Sequence, residues 1–156
     1  MQRLERSALV RCSCQVMYDI INDVARYPEF VPGCSGAEVQ SEIAFDPPAA
    51  DAAERELVAS MALVRGGFRE TLTTRNRCFP THRIQLSLVS GPLVALDGDW
   101  LLEPLGELGC EVRLHLQFEL RRGLNMLSRA VSGSLARVAD EVLDAFCRRA
   151  ELGRAK

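Results

Sequence analysis

The sequence predicts an α+β fold: a curved, seven-stranded antiparallel sheet around one long C-terminal helix, in the order strand, helix, six strands, helix. Three observations carry this prediction. Between Leu124 and Ala150, the residues Leu127, Val131, Leu135, Val138, Val142 and Phe146 recur at spacings of three and four, which places them on one helical face. Cys110, Val112, Leu114, Leu116, Phe118 and Leu120 alternate with polar residues, the period of a half-buried strand. Gly66-Gly67 separates two further strand-like runs, a tight hairpin signal. The helix spans roughly 40 Å at 1.5 Å per residue, and Arg129, Arg137, Asp140, Glu141 and Asp144 make it too polar for a bilayer. Its apolar stripe therefore lies on the sheet.

The remaining elements follow in chain order. Leu4 to Arg11 alternates as a first strand. Ser13 caps a short helix with Val16, Met17, Ile20, Ile21 and Val24 on one side. Pro28 disfavours helical geometry at Tyr27, so the helix ends near Ala25 and Tyr27 to Cys34 forms a stiff loop or broken helical turn. Strands follow at Gly36–Phe45, Glu54–Val64, Phe68–Arg77, Arg83–Val89 and Val94–Leu102, with turns at Asp46–Asp51 and Gly91-Pro92 and a loop at Pro104–Gly109. Short connections imply an antiparallel sheet, wet on its outer face and covered by the helices on its inner one.

With 156 residues the chain makes one domain, assigned to residues 1–152 with a short tail at 153–156. A net charge of −2 argues against a protein that coats nucleic acid, and no DNA partner is expected. No apolar run resembles a signal peptide or a membrane span, so a cytoplasmic location is expected. The six cysteines, Cys12, Cys14, Cys34, Cys78, Cys110 and Cys147, show no C-x-x-C spacing; neither a metal site nor a cofactor is expected, and the thiols should be reduced.

A bent sheet gripping a helix leaves a groove between them. Met61, Phe68, Trp100, Leu116 and Phe118 from the sheet and Leu127, Val131 and Leu135 from the helix are its candidate lining. Trp100 stands out, because its ring lies near Gly98 and carries a polar N–H. Glu70 shares strand parity with Phe68 and Leu72, so it is a candidate inward carboxylate, although such a residue more commonly lies in water at a strand end. His115 shares a face with Glu111, Arg113, Gln117 and Glu119, and His82 has no carboxylate near it in sequence. No catalytic residues and no nucleophile–base arrangement emerge from spacing.

The segment Tyr27-Pro28-Glu29-Phe30-Val31-Pro32-Gly33-Cys34 resembles the Y-P-x-F-[LV]-P-x-C signature of the coenzyme Q-binding START family, within the START-like, helix-grip (polyketide cyclase) superfamily. Val24 after Asn22-Asp23, Thr73-Thr74-Arg75-Asn76, and Ser90-Gly91-Pro92 through Trp100 resemble further segments of that family. Ser90 and Leu93 depart from its usual Asp and Phe, and Val94-Ala95 replaces a stretch that often carries lysine. Gly33, where tryptophan is common, is similar to the bacterial RatA (ribosome association toxin) branch.

The resemblance implies a non-catalytic carrier of ubiquinone or a similar isoprenoid lipid that supports respiration and touches the inner membrane transiently. Tyr27, Phe30, Val31 and Pro32 would form the mouth of its groove or, equally, a proline-braced turn that docks the first helix. The alternative implied function is association with the large ribosomal subunit, hindering subunit joining, with Arg65, Arg69, Arg75 and Arg77 as the contact patch. A third is a polyketide cyclase or aromatase, for which no polar constellation is found.

Overall fold

The computed structural model describes residues 2–65, 67–120 and 128–154; the side chains of 65, 68, 128–135, 153 and 154 lie outside that description. The elements are β1 (Gln2–Val10), α1 (Cys14–Asn22), a 3-10 helix (Val24–Glu29), β2 (Cys34–Ala44), β3 (Arg55–Arg65), β4 (Phe68–Phe79), β5 (Arg83–Ser90), β6 (Leu93–Leu105), β7 (Gly109–Leu120) and α2 (Ser128–Arg154). All seven strands form one antiparallel sheet in the order β1-β7-β6-β5-β4-β3-β2. This is the predicted architecture, with strand ends shifted by at most three residues. α2 is described from Ser128 to Arg154, and Leu127, at the start of the apolar stripe, lies outside the described residues.

Local chemistry accounts for the punctuation. The Ser13 side chain accepts the Val16 N–H at 3.2 Å and so caps α1. Pro28 sits within the tighter 3-10 helix, which resolves the choice between loop and broken turn. Gly33 supplies the positive φ of 79° that turns the chain from this helix into β2.

The concave face carries the core. Rows of in-register residues cross it: Cys78, Ile84, Trp100 and Leu114 in one row, Leu57, Asn76, Leu86, Gly98, Leu116 and Leu4 in the next. α1 seals one end with Met17, Tyr18 and Ile21, each at most 2% exposed. α2 closes the same end with Ala139, Leu143, Phe146 and Ala150, all buried, whereas Val138 and Val142 are only half-buried. The buried stripe is thus turned about one residue from the one the sequence suggested. Small Ala139 and Ala150 let the helix axis approach the core closely, which the apolar pattern by itself undervalues.

The convex face is polar but not uniformly wet. Thr73, which shares the outward strand parity of Arg75 and Arg77, is buried: Gln40 Nε2 donates to Ser60 Oγ at 2.6 Å, and Ser60 Oγ lies 2.6 Å from Thr73 Oγ1. Hydrogen bonding satisfies these hydroxyls where neighbouring side chains exclude water.

Gly98 marks the closest approach within the sheet. A Cβ there would stand 2.6 Å from the His115 carbonyl oxygen and 2.6 Å from Leu116 Cδ2. The backbone oxygen cannot yield, so Gly98→Ala is expected to cost about 2 kcal/mol by overpacking, lowering the Tm by roughly 4–8 °C in a domain of this size. Differential scanning calorimetry checks this; an unchanged Tm would contradict the packing described.

Candidate functional site: a cleft on the concave face

The concave face divides into a sealed end and an open end. At the sealed end Leu57, Cys78, Ile84, Trp100, Leu102, Cys110 and Val112 are at most 5% exposed. Towards the β3–β4 hairpin the same face becomes half-exposed at Met61, Leu72, Leu86, Leu88 and Leu116. Apolar side chains left half-exposed side by side on a concave surface form an apolar cleft. Trp100 and Phe118, each 5% exposed, flank it. Gly98 carries no side chain, and Leu116 Cδ2 occupies the space a Cβ there would need.

The structure distributes the predicted lining between these two ends. Met61 and Leu116 lie in the open cleft, with Trp100 and Phe118 at its border. Phe68 opens β4 opposite Arg65, and Val131 and Leu135 lie on α2, but the side chains of these four residues lie outside the described set, as does Leu127. Tyr27 and Val31 are buried in the sealed end, at 7% and 8% exposure; Phe30 is half-buried and Pro32 exposed.

Tyr27 and Phe30 form an aromatic knot. Phe146 stands edge-on to both, with ring centroids 5.1 Å apart in each pair, and its ring lies 5.0 Å from that of Trp100. The Tyr27 hydroxyl donates to the Ile21 carbonyl in a short hydrogen bond. Arg149 donates to Glu29 at 2.7 Å and lies 5.1 Å over the Phe30 ring. These contacts dock the proline-rich segment on α1 and α2, the bracing role. Phe146, part of the helix stripe in the sequence reading, is the residue that reading missed here, because helical spacing does not show which loop a helix meets.

Two polar groups interrupt the apolar concave face. On β4, Thr74 and Asn76 are 7% and 6% exposed, and Thr74 Oγ1 donates to Asn76 Oδ1 at 2.7 Å. At the corner of β3, β4 and α1, Tyr18 donates to Glu54 at 2.6 Å, and Cys78 Sγ donates to Asn22 Oδ1 at 3.1 Å. Arg55 donates to Glu42 at 3.0 Å, and its Nε is buried without a hydrogen-bond partner among the described residues. Burial, reinforced by the bond to Glu54, pushes the Tyr18 phenol well above its ordinary value. Burial likewise raises the Cys78 thiol, although the nearby Arg55 guanidinium pulls the other way.

Glu70 is exposed near the hairpin and does not enter the cleft. His82 is exposed, with Nδ1 3.1 Å from the Pro80 carbonyl, and His115 lines a trough on the convex face with Glu5, Ser7, Glu111 and Arg113. The expected basic patch is largely paired: Arg75 lies 2.9 Å from Glu56, and Arg77 lies 2.9 Å from Glu56 and 2.8 Å from Asp51. Arg69 is exposed, and the Arg65 side chain lies outside the described residues.

Residues 10–147 match the family model described as polyketide cyclase/dehydrase and lipid transport. A Vibrio cholerae protein named ribosome association toxin RatA is 38% identical over 151 residues, covering 97% of this chain and 96% of that one. The chain belongs to the RatA branch of this family. A RatA of Pseudomonas aeruginosa is 34% identical over 149 residues, covering 95% and 94% of the two chains. Among solved structures, an 18 kDa protein of Caulobacter crescentus superposes with a TM-score of 0.77 at 22% identity, covering 100% of both chains. The Zhui aromatase/cyclase of a Streptomyces species superposes with a TM-score of 0.76 at 17% identity, covering 96% and 93%. These likenesses establish for this RatA-family chain the START-like fold that the proline-rich signature suggested.

Proposed function

We propose that the protein is a ribosome-binding factor of the RatA kind, which associates with the large subunit and hinders subunit joining without catalysing a reaction. The observation that supports this most is the 38% identity, sustained over 97% of the chain, to a relative named for ribosome association. The Arg75–Arg77 face is not a dense basic stripe, because both arginines are largely neutralised by Glu56 and Asp51, and the net charge is −2. Affinity should therefore fall only shallowly with salt, as few counterions are released. Sedimentation with purified subunits tests the proposal. Comigration with the large subunit and a reduced yield of joined ribosomes are expected, and Arg75→Glu/Arg77→Glu should weaken the comigration. A protein that stays at the top of the gradient and leaves joining unchanged overturns it.

The half-exposed apolar residues Met61, Leu72, Leu86, Leu88 and Leu116 of the concave face favour a second reading, an apolar ligand held in the cleft. Ubiquinone or a related isoprenoid is the ligand we propose, which would link the protein to respiration. Burial at about 25 cal/mol per Å² lets a few hundred Å² of prenyl surface give useful affinity, even after the cost of association. Native mass spectrometry followed by organic extraction tests it. Co-purified quinone is expected, and a protein that arrives empty and takes up none of an added quinone overturns it.

A further inference from the structure

We propose that Thr74 and Asn76 form a head-group site inside the cleft, selecting apolar molecules that carry an uncharged carbonyl. This inference rests on the apolar-ligand reading above and adds to it the atoms that would recognise the ligand.

The setting of the pair is unusual. Across the sheet Thr74 faces Ala59 and Leu88, and Asn76 faces Leu57 and Leu86, so every in-register neighbour is an uncharged aliphatic. Burying an amide and a hydroxyl among such groups is costly, and a leucine or valine at either position would pack there without that cost. The pair also does not consume its own hydrogen-bonding capacity. The Thr74 hydroxyl proton is committed to Asn76 Oδ1 at 2.7 Å. That bond fixes the rotation of the amide and leaves the Nδ2 protons of Asn76 as the donors facing a ligand. Across the sheet these donors meet only uncharged in-register neighbours, and Arg55, opposite Cys78 in the adjacent row, is bonded to Glu42, so the donors match a neutral acceptor, a ketone or quinone oxygen.

Position adds to chemistry. Asn76 lies at the boundary of the two ends of the concave face: its row runs through half-exposed Leu86 and Leu116, while the adjacent row of Cys78, Ile84 and Trp100 is sealed. A ligand that entered past Met61 and Leu72 would meet this pair as it reached the sealed wall, with its apolar body still against the open row. Trp100, the single tryptophan of the chain, belongs to that wall, about 10 Å across the sheet from β4 at two strand spacings.

The test uses three probes of equal length, 2-undecanone, undecane and undecanoate, added to the full chain. Binding is read by Trp100 emission, and contact by the side-chain amide proton resonances of Asn76. The ketone is expected to shift the Asn76 amide protons and the alkane is not, and undecanoate should bind more weakly than the ketone. Asn76→Leu should reduce the ketone-to-alkane affinity ratio about tenfold, the loss of one buried hydrogen bond. Thr74→Val, which frees the amide to rotate, should reduce it less. The wild-type resonances decide the matter even if a variant fails to fold. Ketone binding that leaves the Asn76 resonances in place, or a ratio unchanged in Asn76→Leu, overturns the head-group site while leaving the apolar cleft standing. Failure of all three probes to bind overturns both.

Discussion

Phe146→Ala is expected to destabilise the protein by about 4 kcal/mol, within the range for a large aromatic removed from a core. For a domain of this size the Tm should fall by roughly 8–16 °C. Phe146 is 2% exposed, and its ring touches those of Tyr27, Phe30 and Trp100 with centroids 5.0–5.1 Å away. It is therefore where α2, the proline-rich segment and β6 meet. Removing it leaves a cavity and also breaks two edge-to-face contacts, which contribute beyond their buried area. Leucine at the same position should restore most of the loss, since it refills volume but not ring geometry. Urea denaturation followed through Trp100 emission measures both effects. A loss below about 1 kcal/mol for alanine, judged against the core substitution range, would mean that the proline-rich segment is not docked through this ring.

Alkaline pH should unfold the protein while neutral pH leaves it unaffected. Burial raises the thiols of Cys34, Cys78, Cys110 and Cys147 above their ordinary value of 9.0, Cys147 to about 11. Burial does the same to the Tyr18 and Tyr27 phenols, relative to 10.0. In every case the folded state holds the proton more tightly than the unfolded chain. Stability is therefore fully present below the unfolded values and is lost as the pH rises through them towards the folded ones. Each group contributes about 1.4 kcal/mol per pH unit across its own window. The Tm should stay level from pH 7 to about 8.5 and then fall with increasing slope through pH 10 and 11. Thermal melts in the presence of a reductant, which keeps the thiols unpaired, check this. A Tm still level at pH 11 would show that these groups ionise freely in the folded state.

Much of the architecture was legible from residue order because it depends on local periodicity. The alternation in β7 and the Gly66-Gly67 signal specify strands whose pairing follows from short connections, and Ser13 and Pro28 mark where α1 begins and where its regular geometry must end. Strand parity also put the side chains of Met61, Trp100, Leu116 and Phe118 on the concave face, with Met61 and Leu116 half-exposed there and Trp100 and Phe118 buried. Thr74 and Asn76 share the inward parity of Leu72 yet attracted no notice as lining, because polar residues on a strand read as solvent-facing. Arg75 and Arg77 share one strand parity, which puts both on the same face, but their neutralisation by Glu56 and Asp51 joins residues distant in sequence.

What the sequence determined by itself is therefore the set of elements, their order and the parity of each strand, all properties of a few consecutive residues. The tertiary structure alone decided which of the inward residues are sealed and which border an open cleft, that Phe146 braces Tyr27 and Phe30, and that α2 turns its alanines to the core. Each of these depends on contacts between segments as much as 120 residues apart, such as Glu29 and Arg149. Pattern records which way a side chain points; only packing fixes what it meets there.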